Sequence, residues 1–142
     1  MKTERLVKEA EYADIILSLL QPPYNISSLC KITFIAFCIQ HEQSISAYSN
    51  RTKDFVDTFF KNISLKLVAH SEDIEAIFHV LSMLENNESI TICNDTIQLK
   101  SCPQHTSENI FLKFCENKNP NPIVEIDKLD IKALLEEVIR YV

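Results

Sequence analysis

Four histidines and five cysteines carry the widest chemical reach in this sequence. In "CPQH" (102–105), Cys102 and His105 stand at a spacing that can bind zinc, with Cys93 and Cys115 on either side. A structural zinc site normally shows two close pairs of ligands, and only one is present here. The pattern therefore predicts small buried cysteines and a loop histidine. His41 beside Glu42, and His79 four residues after Glu75, are the pairs with acid–base potential. On a helix, the second pair reads as a surface Glu–His contact rather than a catalytic dyad. Cys30 and Cys38 sit about two turns apart on an apolar run and are expected to stack as core residues. No His or Asp accompanies any cysteine in a way that singles out a nucleophile. Neither a catalytic residue, a metal nor a cofactor is expected.

Composition narrows the field further. The chain has 142 residues, of which 46% are hydrophobic and 24% charged, and it contains no Gly and no Trp. A phosphate-cradling loop or a dinucleotide-binding turn needs positions where only Gly lets backbone approach the ligand. A nucleophile elbow of the G-x-S-x-G type fails for the same reason. Turns must be built from Asn, Asp, Ser and Pro. The formal net charge of −6 repels nucleic acid and anionic membranes from the molecule as a whole. No apolar run reaches the roughly 18–20 residues of a membrane span. Charges are mixed through the apolar positions of "MKTERLVKEAEYADIILSLL", unlike a secretory signal. An odd number of cysteines without such a signal predicts free thiols in the cytoplasm.

The elements that must position any site follow from periodicity. Residues 3–20 place Leu6, Ala10, Ala13, Leu17 and Leu20 on one helical stripe, and Pro22 and Pro23 stop that helix. A second helix, capped near Asn25 or Ser27, runs through "LCKITFIAFCIQ" (29–40), apolar nearly all round. A polar connection (41–50) leads to "RTKDFVDTFFKNI" (51–63), with Phe55, Val56, Phe59 and Ile63 on one face. The next stretch, 64–70, reads equally as strand or helix. Ser71 is expected to cap the clearest helix, with Glu72 and Asp73 in its first turn and Ile74, Ile77, Phe78, Leu81 and Leu84 as its stripe. Asn86 and Asn87 close it in place of Gly.

"ENNESITICNDTIQLK" (85–100) then reads as a hairpin turning at Asn94-Asp95. That register sets Ile92 against Ile97 and Ile90 against Leu99, all on one face. A shorter helix is expected over 107–117, an extended linker over 118–127, and a last helix capped by Asp127. The stripe of that last helix is Ile131, Leu134, Leu135, Val138, Ile139 and Val142. The expected fold is mainly α (α+β), with a winged-helix-like core of three helices and a β-hairpin at 28–100. The N-terminal helix (1–27) and a C-terminal helical extension (101–142) are added to it within a single domain.

In a winged helix, the helix before the hairpin usually enters the major groove, with Lys and Arg around it. Here residues 71–88 carry Glu72, Asp73, Glu75, Glu85 and Glu88 and no Lys or Arg. The turn adds Asp95. Arg51, Lys53, Lys61 and Lys66 are interspersed with Asp54 and Asp57, as on an ordinary solvated face. Such a surface repels phosphate, so the shape of a DNA reader comes without its electrostatics.

The runs "KITFIAFCIQHEQ", "RTKDFVDTFFKNISLKLVAH" and "IEAIFHVLSMLENNESITICNDTIQLK" carry a family resemblance over roughly residues 28–100. Together they resemble the small middle component of bacterial three-gene ABC-ATPase systems, of which Lamassu-type anti-phage systems are members. Members often place Gly before the hairpin, where this chain has Asn86 and Asn87. The resemblance implies a non-catalytic adaptor set against an SMC-like ABC ATPase, holding or regulating a nuclease-type effector, and touching DNA only through the complex. No small-molecule substrate is implied. The residues expected to dock are Glu72, Glu75, His79 and Ser82 on the exposed side of the amphipathic helix that Ser71 begins, and Asn94 and Asp95 as a protruding hairpin tip. The alternatives are a winged-helix transcription regulator that binds DNA, and a small zinc- or thiol-dependent protein.

Overall fold

A computed structural model describes residues 2–41, 69–100, 106–116 and 121–130, together with 132, 133 and 136. Helices α1 (Lys2–Leu19), α2 (Leu29–His41) and α3 (Glu72–Asn86) precede a two-stranded hairpin, β1 (Ile90–Cys93) and β2 (Thr96–Leu99). Two short helices, α4 (Ile110–Glu116) and α5 (Pro122–Asp127), follow. The mainly helical α+β expectation holds. The helix expected at 51–63, the middle one of a winged-helix core, lies outside the described residues.

Helix α1 is no appendage, because it packs against both α2 and α3. Its buried stripe is Tyr12, Ile15, Ile16 and Leu19, all without solvent contact, whereas Leu6 is 65% exposed and Ala10 is exposed. Of the expected stripe only Leu20 is buried, with Ala13 and Leu17 half-buried. The true stripe continues N-terminally into Glu9, Lys8 and Arg5. Those charges hide its period from a count of apolar residues. Each fully buried Ile or Leu contributes about 1.5–3 kcal/mol, which is enough to fix the rotation of the helix.

The start of α2 is set by the hairpin. The helix opens at Leu29 rather than near Asn25 or Ser27, because its first N–H groups find acceptors only there. Leu29 N–H donates to the Asp95 carbonyl (2.8 Å), and Cys30 N–H to the Asp95 carboxylate (3.2 Å). Lys31 N–H reaches the Ser28 hydroxyl (3.3 Å), and that hydroxyl donates to Asp95 (3.1 Å). Ile97 N–H closes the junction on Ser27 O (2.9 Å), and Ser28 bridges Thr96. The orphan donors of one helix are thus satisfied by a turn some 65 residues away.

Helix α3 departs from expectation at its cap and its face. Ser71 already has helical backbone angles (φ −61°, ψ −25°) and makes no side-chain cap. Asp73, Ala76, Ile77, Val80, Leu81 and Leu84 are buried, Ile74 is half-buried, and Phe78 is 51% exposed. The inward face is rotated because α1 and α2 both pack on it and Asp73 joins them. At the other end Ser89 N–H reaches Leu84 O (3.0 Å) and Glu88 N–H reaches Glu85 O (3.1 Å), a Schellman closure. Its left-handed position is held by Glu88 (φ 67°), one residue beyond the asparagines expected to fill it.

The hairpin has the expected register, Ile90 with Leu99 and Ile92 with Ile97, and Asn94 takes the positive φ (56°) of its turn. Ile90 and Ile97 are buried, Ile92 and Leu99 half-buried, and Thr91, Cys93, Thr96 and Gln98 face solvent. Helix α4 begins later than expected, at Ile110, with Asn109 accepting from Leu112 N–H (3.0 Å). The expected linker is partly helix. Asn121 is extended, as a residue before proline must be, and its side chain caps Ile123 N–H (3.0 Å), so Pro122 opens α5. Asp127 ends α5 instead of capping the last helix. Asp130 accepts from Ala133 N–H (2.7 Å), and Lys132, Ala133 and Glu136 are helical. The stripe expected to follow falls outside the described residues.

Candidate functional site

Two polar arrays meet on α3, one facing the interior and one facing out. The inner array centres on Asp73, whose side chain has no solvent contact. Lys8 Nζ donates to Oδ1 (2.7 Å); Tyr12 Oη–H and His41 Nε2–H both donate to Oδ2 (2.7 Å each). Burial alone would raise the Asp73 carboxyl, but bonds from Lys8, Tyr12 and His41 override it and hold it below the ordinary carboxylate range. The bond that Lys8 donates to Asp73 raises the Lys8 ammonium against the opposing effect of burial. Burial, and then the bond to Asp73, push the Tyr12 hydroxyl up. His41 also stacks on His70 (centroids 4.6 Å apart, planes 20°) and tilts against Phe37 (4.5 Å). One side chain from α3 thereby ties together α1 and the end of α2.

Beside it lies Glu9, whose side chain is 6% exposed. Its Oε1 accepts from Arg5 Nε (3.0 Å) and contacts His79 Nδ1 (2.9 Å). Burial would raise this carboxyl too, and the Arg5 and His79 contacts reverse the effect, leaving it below its ordinary value. His79 therefore pairs with Glu9 of α1, not with Glu75 on its own helix. A long-range partner buried beside α1 outcompetes an exposed neighbour one turn away.

Glu72, Glu75, His79 and Ser82 do share one exposed ridge of α3, as expected at 3.6 residues per turn. On one side of it a polar cleft of about 310 Å³ is lined by Glu4, Arg5, Lys8, Glu72 and Glu75. On the other side Phe78 leads into an apolar groove. Asn94 and Asp95 are exposed, but the tip does not stand free. Asp95 is folded onto the first turn of α2, which corrects the expectation of a protruding contact. No Lys or Arg occurs from residue 71 to residue 99.

For chemistry the arrangement offers little. Both oxygens of Asp73 already accept bonds and neither meets solvent, so it has no open position from which to take a substrate proton. Cys38 and Cys115 are buried; Cys30 is half-buried, and burial followed by the nearby Asp95 pushes its thiol up, away from reactivity. Cys93 lies exposed on the outer face of the hairpin. Cys102, His105 and Glu42 fall outside the described residues, as do Arg51, Lys53, Lys61 and Lys66. Among the described residues no three His, Cys, Asp or Glu side chains gather to hold a metal, and no helix is long and apolar enough to cross a membrane.

Sequence reasoning missed Asp73, Tyr12, Lys8, Glu9 and His41 as a group. The signal was present on α1, because Lys8, Glu9 and Tyr12 continue the Ile15, Ile16 and Leu19 stripe at helical spacing. No family model, curated protein or solved structure matches the chain.

Proposed function

We propose that this protein is a non-catalytic adaptor that docks on a partner protein through the acidic outer ridge of α3. The observation that carries the reading is the ridge itself: Glu72, Glu75, His79 and Ser82 lie exposed on a helix whose inner face is anchored by buried Asp73. A preorganised acidic surface meets a basic protein surface with fast encounter and defined register, and it turns away phosphate. The resemblance over residues 28–100 supplies the partner class: an SMC-like ABC ATPase with a nuclease-type effector in a bacterial anti-phage complex, DNA being reached only through that complex. A saturated, solvent-free Asp73, the burial of Cys38 and Cys115, and a Cys30 thiol pushed up by burial support the non-catalytic part of the reading.

Co-expression with an SMC-like ATPase encoded beside it tests the proposal. The wild-type chain is expected to co-purify with the ATPase, and the Glu72→Lys/Glu75→Lys double variant to lose it while keeping its circular dichroism and melting transition. A wild-type chain that stays monodisperse and ignores the ATPase overturns the reading. Salt-sensitive binding of duplex DNA by the isolated chain would favour a winged-helix regulator instead.

A further inference from the structure

The apolar groove beside the docking ridge has a volume of about 500 Å³ and runs between α2 and α3. Leu29 and Phe34 line it from α2, Ile74 and Phe78 from α3, and Asp95 of the hairpin turn adds a carboxylate to the lining. Phe78 is the most exposed aromatic side chain among the described residues. Its neighbour Phe34 is only half-buried. Two helices with a cleft of this lining form the type of groove into which an amphipathic helix lays its apolar face.

Charge around the groove selects the kind of helix. Asp95 is part of its lining, and Glu85, which accepts from Ile92 N–H (3.2 Å) through one oxygen, lies exposed two turns beyond Phe78 on the same side of α3. Neither α3 nor the hairpin contributes any Lys or Arg. The single cation of α2 apart from histidine, Lys31, is committed elsewhere, with its Nζ on Asp127 O (2.7 Å) and 3.5 Å from the Asp127 carboxylate. We infer that the groove receives a basic amphipathic helix of the partner protein, its apolar residues seated on Phe34, Ile74 and Phe78 and its Lys or Arg residues facing Asp95 and Glu85. This inference rests on the adaptor reading and names the shape and charge of the partner's contact. An anionic segment of equal hydrophobicity is rejected by the same rim.

Two synthetic peptides probe it: an amphipathic helix with leucines at i, i+3, i+4 and i+7 flanked by lysines, and its twin flanked by glutamates. The lysine peptide is expected to bind the full chain saturably, with amide shift changes centred on Ile74, Phe78 and Phe34. Affinity falls by roughly tenfold or more in Phe78→Ala, an exposed position whose change leaves the melting transition in place. The glutamate twin is expected to bind weakly or not at all. Equal binding of the twins, shifts that map elsewhere, or no saturable binding overturns the inference. Phe78 already shielded from a soluble paramagnetic agent in the free chain also overturns it, since the groove is then filled by this chain or a second copy. ATPase co-purification that survives Phe78→Ala removes the groove and leaves the adaptor reading standing. Peptide binding at the groove without ATPase co-purification does the reverse.

Discussion

Asp73 was legible as an acidic residue in a helix first turn, where the macrodipole favours it. Its burial was not legible, because the three donors that make burial tolerable come from positions 32 to 65 residues away. Removing one partner of a buried charge network leaves the others unpaired, so Asp73→Ala is expected to cost about 3–5 kcal/mol in denaturant unfolding. The acid limb of stability carries a second signature. Asp73 and Glu9 both hold folded carboxyls below their unfolded values. Their contribution is complete above the unfolded carboxylate range and is lost as pH falls through about 4 and below. The melting temperature therefore drops as pH is lowered from about 5 towards 3, and the drop is shallower in Asp73→Asn, which cannot ionise. Glu88 offers the opposite case. It occupies a left-handed position without glycine, and Glu88→Gly is expected to raise stability by about 1 kcal/mol, measured by the denaturation midpoint. The sequence contains no Gly anywhere, so composition showed that a non-glycine residue must take such positions, but not which one.

Among the elements, the hairpin was the most legible. Its four apolar residues alternate with polar ones around a turn pair; the period of two fixes the buried face and the turn fixes the register. What it does was hidden. Its turn satisfies the first N–H groups of α2, a contact between segments far apart in sequence. Asp95→Ala removes the acceptor for Cys30 N–H and the Ser28 hydroxyl, a loss comparable to deleting an N-cap, about 0.5–2 kcal/mol. Hydrogen exchange is expected to rise at Cys30 while the α3 amides keep their protection. Faster exchange confined to the hairpin would place the role of Asp95 in the turn alone. The buried face of helix α1 lies one stripe away from the one its apolar residues predict, because charged residues extend that face. Helix α5 stands where the two prolines of "NPNP" predict a linker, since they signal extended chain and the second also fits the first turn of a helix.

At the scale of the whole molecule, charge is the property that sequence conveyed best. A net charge of −6, with no Lys or Arg between residues 71 and 99, needs no fold to be interpreted. The fold shows where that charge is used. Asp73 goes inward to join three helices, Glu72 and Glu75 stay on the outer ridge, and Asp95 turns back onto α2. As a set of exposed side chains, the group proposed from sequence was thus legible in its helical part, where spacing alone defines a face. It was incomplete at His79 and the hairpin tip, where tertiary partners intervene. The adaptor reading depends on the ridge acting as a charged surface, and charge reversal there tests it most directly. In co-purification with an SMC-like ATPase, the Glu72→Lys/Glu75→Lys chain should be lost from the complex at a salt concentration where wild type is retained, with an unchanged melting temperature. Retention of the folded double variant at wild-type level would contradict the account.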